Sequence, residues 1–155
     1  MDGQCAEYFF DAWGALDFER FGLEVGDCRG QAVWEALAML VAMRAWSRFW
    51  KDKLLAMVIK SDSKAALGAF EKERSRSASI NAIAREVSFD LALARFQIQM
   101  EYAHVRGKDN EWADALSRLS EPGSGACVPG PLRDLPCAQV PLRDASWWRT
   151  DVRRV

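Results

Sequence analysis

Apolar and polar residues follow two different rhythms along this chain. Gln31 to Trp50 (QAVWEALAMLVAMRAWSRFW) is rich in Ala, Leu and Met and apolar nearly all round until Arg44, which predicts a helix buried on most sides. Leu54 to Ile59 (LLAMVI) is a continuous apolar run and predicts a central strand covered on both faces. Phe96 to Tyr102 alternates apolar and polar, the period of a strand, and His104 keeps the parity of Tyr102. Ala6–Trp13 and Phe18–Val25 are short and aromatic-rich and read as two further strands, with Gly14 and Gly26 as punctuation. Ser61-Asp62-Ser63 predicts the cap of a helix starting near Lys64. Ser79 predicts the cap of a second, with Ile80, Ile83, Val87 and Leu91 on one stripe. Arg106 to Asp109 reads as a loop, and Asn110 as the cap of a last helix carrying Trp112, Asp114, Leu116 and Leu119. The order strand, strand, helix, strand, helix, helix, strand, helix implies an α/β layer architecture with a mixed sheet.

All five prolines fall between Pro122 and Pro141. The expected globular unit is therefore 1–119, followed by a Pro-rich, flexible tail over 120–155. Pro-Leu-Arg-Asp occurs twice in that tail, at 131–134 and 141–144, too few copies for a repeat architecture. Trp147 and Trp148 have two readings: a tail that folds back or docks on a neighbour, or a short linear binding motif.

Composition narrows the function classes. With 155 residues, half of them hydrophobic, the chain can build a core. A net charge of −1 leaves no bulk positive field for gripping nucleic acid. No uncharged run is long enough for a membrane span, and the N-terminus lacks the pattern of a secretory signal, so an intracellular location is expected, with cytoplasm and nucleus not distinguished. The four cysteines form no CxxC pair and read as free thiols; with His104 the sole histidine, a zinc site is disfavoured.

Three acids stand where an acid is awkward. Glu35 interrupts the apolar helix, Asp62 follows the apolar strand, and Asp114 lies in the first turns of the last helix. Carboxylates at such places are costly unless paired or bound to a cation. Active sites of open α/β sheets gather at the C-terminal ends of strands. Converging carboxylates suit Mg²⁺ or Mn²⁺, and the chemistry that needs such a cluster is phosphodiester cleavage by two metals. Each acid also has an ordinary role: Asp62 as a helix cap, Asp114 as a partner of its helix dipole, Glu35 on an exposed helix face.

His104 to Leu119, HVRGKDNEWADALSRL, resembles the last motif of ribonuclease H domains in reverse transcriptases of long-terminal-repeat retroelements, especially the Ty3/gypsy-like group. The match is Gly107, Lys108, Asn110, Ala113, Asp114, Ala115, Leu116, Ser117 and Arg118. Asp62 in VIKSDSKAAL and Glu35 in VWEALAMLVAMRAW resemble two further acids of that family, in the same order. The resemblance covers about residues 1–119. It implies an RNase H-like fold, a mixed sheet flanked by helices, and hydrolysis of the RNA strand of RNA/DNA hybrids by a two-metal (Mg²⁺) endonuclease. It makes Glu35, Asp62 and Asp114 metal ligands. Lys64, Arg106, Lys108 and Asn110 would face the nucleic acid, and His104 would assist proton transfer or product release. The partners implied are an RNA/DNA hybrid and the rest of a reverse transcriptase polyprotein.

One departure matters. The family's first, central strand and its aspartate have no counterpart here; Asp2, Asp11 and Asp17 do not sit in the expected pattern. Two strand edges would then lack partners, and the expectation is a fragment that is inactive and marginally stable alone. The alternatives are a non-catalytic RNase H-like module that binds nucleic acid or scaffolds a polymerase, and an unrelated α/β interaction domain.

Overall fold

A computed structural model describes residues 6–94 and 98–150. Its elements are α1 (Ala15–Phe21), α2 (Gln31–Ala45), α3 (Ser47–Trp50), β1 (Ala56–Ser61), α4 (Lys64–Glu71), α5 (Ala78–Ala92), β2 (Gln99–His104) and α6 (Glu111–Ser117). The protein is mixed α/β. Its sheet, among the described residues, is the parallel pair β1–β2, in register from Ala56 opposite Gln99 to Ser61 opposite His104.

The core lies between this small sheet and helices α2, α4 and α5. Leu37 and Leu40 of α2, Ala66 of α4 and Ile83 of α5 have no exposed surface. The expected stripe on α5 is present, with Ile80, Ile83 and Val87 buried and Leu91 packed against them. Helix α2 is buried on several sides, as its composition requires, but it stops at Ala45; Trp46 breaks the run and α3 follows as a single turn.

Ser63 caps α4, its hydroxyl accepting from the Ala66 amide. On α5 the cap is Ser77, which accepts from the Ile80 amide, and Ser79 lies inside the helix. Asn110 occupies the cap position of α6, yet its side chain makes no capping hydrogen bond.

Neither N-terminal segment forms a sheet strand. Phe18–Val25 falls largely in α1, where Phe18 and Phe21, three apart on one helix face, both meet the Trp34 ring edge-on. Gly22 ends that helix at φ 61°, a conformation that favours glycine. Ala6–Trp13 is extended, but its only pairing among the described residues is a bridge from Tyr8 to Cys137. Its rings turn to α2 instead: Phe9 meets Trp46 and Trp13 stacks on Trp34. Aromatic residues mark a half-buried surface, and helix packing served that need here as well as a sheet would.

β1 also departs from expectation. It is covered on one face, not two. Met57 and Ile59 pack on the core, while Val58 is 46% exposed and Leu54, just before the strand, 82%. The strand alternation expected of Phe96–Tyr102 holds for Gln99 onward; Arg95–Gln97 lie outside the described residues.

Residues 120–150 hold little regular structure but pack onto the same core. Leu132, Arg143 and Trp148 are buried. The boundary at 119/120 is thus a change of composition rather than a gap in packing. Trp147 and Trp148 fold back: Trp148 meets Phe21, and Arg20 lies 3.7 Å over its ring. Arg143, beneath the surface, donates to both carboxylate oxygens of buried Asp17 at 2.8 Å and also to Asp11.

Candidate functional site

The three acids singled out in the sequence line one groove. Its volume is about 910 Å³, and it runs between α2 and β1 and ends at α6. Glu35 enters from α2, Asp62 from the residue after β1, and Asp114 from the first turn of α6. Asn110 and Ser117 complete the α6 side.

Local sequence explains each placement. The β1 run ends at Ser61, whose carbonyl accepts from Val105 beyond β2, so Asp62 emerges beside the loop that follows β2. A Cβ built on Gly107 would stand 3.6 Å from the Asp62 carboxylate, an ordinary contact distance that places this loop directly beside the acid. The Arg106–Asp109 loop closes as a turn of 3₁₀ helix, with Arg106 Nε donating to Asp109 Oδ2 at 2.6 Å. Asp114 is held by Arg118 one turn later at 3.1 Å, an exposed pair worth little. Glu35 accepts from the Gln31 amide at 3.4 Å.

The desolvation argument that marked these acids does not hold. Asp62 and Asp114 are exposed and Glu35 is only half-buried, so none is a stranded buried charge. Among the described residues, no group of three or more His, Cys, Asp or Glu side chains closes into a metal-holding cluster. The carboxylates line the same groove from three different elements without forming a finished ligand set.

The other site residues lie around that end. Lys64 opens α4, exposed, two residues after Asp62. Lys108 is exposed in the 3₁₀ turn. His104 ends β2 opposite Ser61 and is exposed, and Arg106 is engaged by Asp109. Lys64, Arg106 and Lys108 thus border the acids from the sheet's C-terminal end.

Sequence reasoning missed the groove's apolar half. Ala38, Met39, Ala42 and Met43 of α2 line it opposite β1, with Trp46 and Phe49 beyond. The indole N–H of Trp46 is buried and has no acceptor. The signal was available: an α2 run apolar all round demands cover on every side.

Away from the groove, a charged cluster locks the tail to the helices. Arg44 of α2 donates to Glu86 and Asp90 of α5 and to the Trp147 carbonyl. Glu86 also accepts from the Arg149 and Thr150 amides and the Thr150 hydroxyl. Burial alone would raise the Glu86 pKa. The hydrogen bonds from Thr150, the Arg149 amide and Arg44 outweigh it and hold the carboxyl below its ordinary value.

Cys28, Cys127 and Cys137 are free, exposed thiols. No helix among the described residues is long and apolar enough to cross a membrane. Comparison with protein-family models, with curated proteins and with solved structures finds no match to this chain.

Proposed function

We propose that this chain is the ribonuclease H-like portion of a retroelement (Ty3/gypsy-like) reverse transcriptase, inactive on its own. The observation that carries the reading is the meeting of Glu35, Asp62 and Asp114 in one groove. These residues are far apart in sequence and lie on three separate elements. They were chosen from the sequence for one chemistry, the holding of Mg²⁺ or Mn²⁺ for hydrolysis of the RNA strand of an RNA/DNA hybrid. Lys64, Lys108 and Arg106, with Asn110 beside them, would meet phosphates, and His104 stands at the same end. The hybrid and the remainder of the polyprotein are the partners of this reading, and its setting is intracellular.

The same geometry argues for inactivity. Among the described residues the three carboxylates do not close into one ligand cluster, and a further acid beside β1 is what this reading requires. The open edge of β1 is where a strand bearing that acid would lie. With Mg²⁺ and a labelled RNA/DNA hybrid, the chain alone should give no cleavage. Fusion of an upstream strand carrying an aspartate should restore it, and Asp62→Asn should abolish the restored activity. Salt-dependent hybrid binding with no cleavage in either form would replace the enzyme reading by the non-catalytic module. The unpaired edge of β1 among the described residues and the net charge of −1 favour this second reading.

A further inference from the structure

We infer that the free edge of β1, with the apolar groove beside it, is a docking site for an extended peptide segment of alternating apolar and polar residues. The backbone sets the argument. Leu55 accepts from Gln99 and Ser61 accepts from Val105, so the odd-numbered residues of β1 pair with β2. In a parallel pair the N–H and C=O of one residue point the same way. Those of Ala56, Val58 and Lys60 therefore point to the opposite edge, and no backbone partner meets them among the described residues.

Only another extended backbone matches such a row of alternating donors and acceptors. Six residues of β1 span about 20 Å, enough for a strand-length partner. The groove is the right kind of space for one face of that partner. Small side chains, Ala38 and Ala42, leave room along α2, and Met39 and Met43 adapt to what enters. The opposite face of an added strand would continue the exposed face of the sheet, where Val58 stands, so polar residues suit it. Trp46 and Phe49 extend the groove's apolar wall beyond Met43, giving the inward side chains of an added strand further cover. The edge is the one at which the nuclease reading places a further strand, but the inference requires no metal and no acid on that strand, so its binding test is separate from the cleavage assay.

The test uses the full chain and a fluorescein-labelled peptide of four Thr-Val repeats. Two control peptides carry proline at alternate positions, one in each parity. Saturable binding is expected, with at least a tenfold loss for one proline parity and little for the other, because only one set of amides faces β1. Hydrogen exchange at Ala56, Val58 and Lys60 should slow at least tenfold on binding, while Met57 and Ile59 stay unchanged. Val58→Pro, which removes an outward-facing amide, should weaken binding at least tenfold; if that variant fails to fold, the peptide pair still decides. Equal binding of both proline peptides, or unchanged exchange at 56, 58 and 60, would overturn the inference. Protection of those amides that rises with protein concentration alone would assign the edge to a second copy of the chain instead.

Discussion

The two flanks of α2 are equally apolar in sequence and end in opposite states. On one flank Arg44 reaches Glu86, Asp90 and the Trp147 carbonyl, and the tail seals what remains. On the other, Ala38 and Ala42 face a groove whose far wall is an unpaired strand edge. The difference lies in the supply of partners. The closed flank is supplied from two sides, by the α5 carboxylates of Glu86 and Asp90 and by the tail, whose Trp147 carbonyl lies 103 residues from Arg44. On the open flank a row of β1 backbone groups and the Trp46 indole N–H have no partner among the described residues.

This contrast can be broken most forcefully from the closed side. Deleting 141–155 removes the burial of Trp148, which alone is worth about 3–5 kcal/mol, takes Arg143 from Asp17, and takes the Arg149 and Thr150 donors from Glu86. Loss of the cooperative thermal transition is expected. Next comes Arg143→Ala, which leaves Asp17 buried at 3% exposure without its counter-ion; urea unfolding should show a loss of about 3–5 kcal/mol.

A pH titration sharpens the comparison further. The Glu86 carboxyl is held below its ordinary 4.5, so its contribution is complete above that value and is lost as pH falls through the lower folded-state value. The urea midpoint should decline below about pH 4.5, and Glu86→Gln should flatten that part of the decline. The smallest effect belongs to the open side. Val58→Lys, at a 46% exposed position, should shift stability by no more than about 0.5 kcal/mol. It should nevertheless weaken binding of the Thr-Val peptide in a fluorescence titration, because a charge on an edge strand opposes pairing.

Sequence patterns revealed the elements whose burial is decided locally. The α5 stripe, the Ser63 cap, the β2 alternation and the apolar girth of α2 all follow from side chains a few positions apart. They also drew Glu35, Asp62 and Asp114 into one set, and the groove unites them. What was not legible depended on distant partners. Leu54–Ile59 is apolar enough for a central strand, but whether a strand is central depends on neighbours that its own residues do not encode. Ala6–Trp13 has strand composition, yet the Trp34 and Trp46 rings gave its aromatics a different surface. The Pro-rich tail hid its role because its anchoring rests on single side chains, Arg143 and Trp148, and not on any periodic pattern. The burial inferred for the three acids failed for a related reason: an apolar neighbourhood in sequence does not exclude water in space.

The long reach of Arg143 to Asp17 also sets a timetable for biosynthesis. The two residues are 126 positions apart. At ribosomal rates of about 5–20 residues per second, some 6–25 s separate their appearance. Throughout that interval the nascent chain displays Phe21 without the Trp148 ring that packs on it. A molecule whose seal is made last must be protected while it waits, and its yield in a cell should depend on chaperone capacity more than its finished stability would suggest.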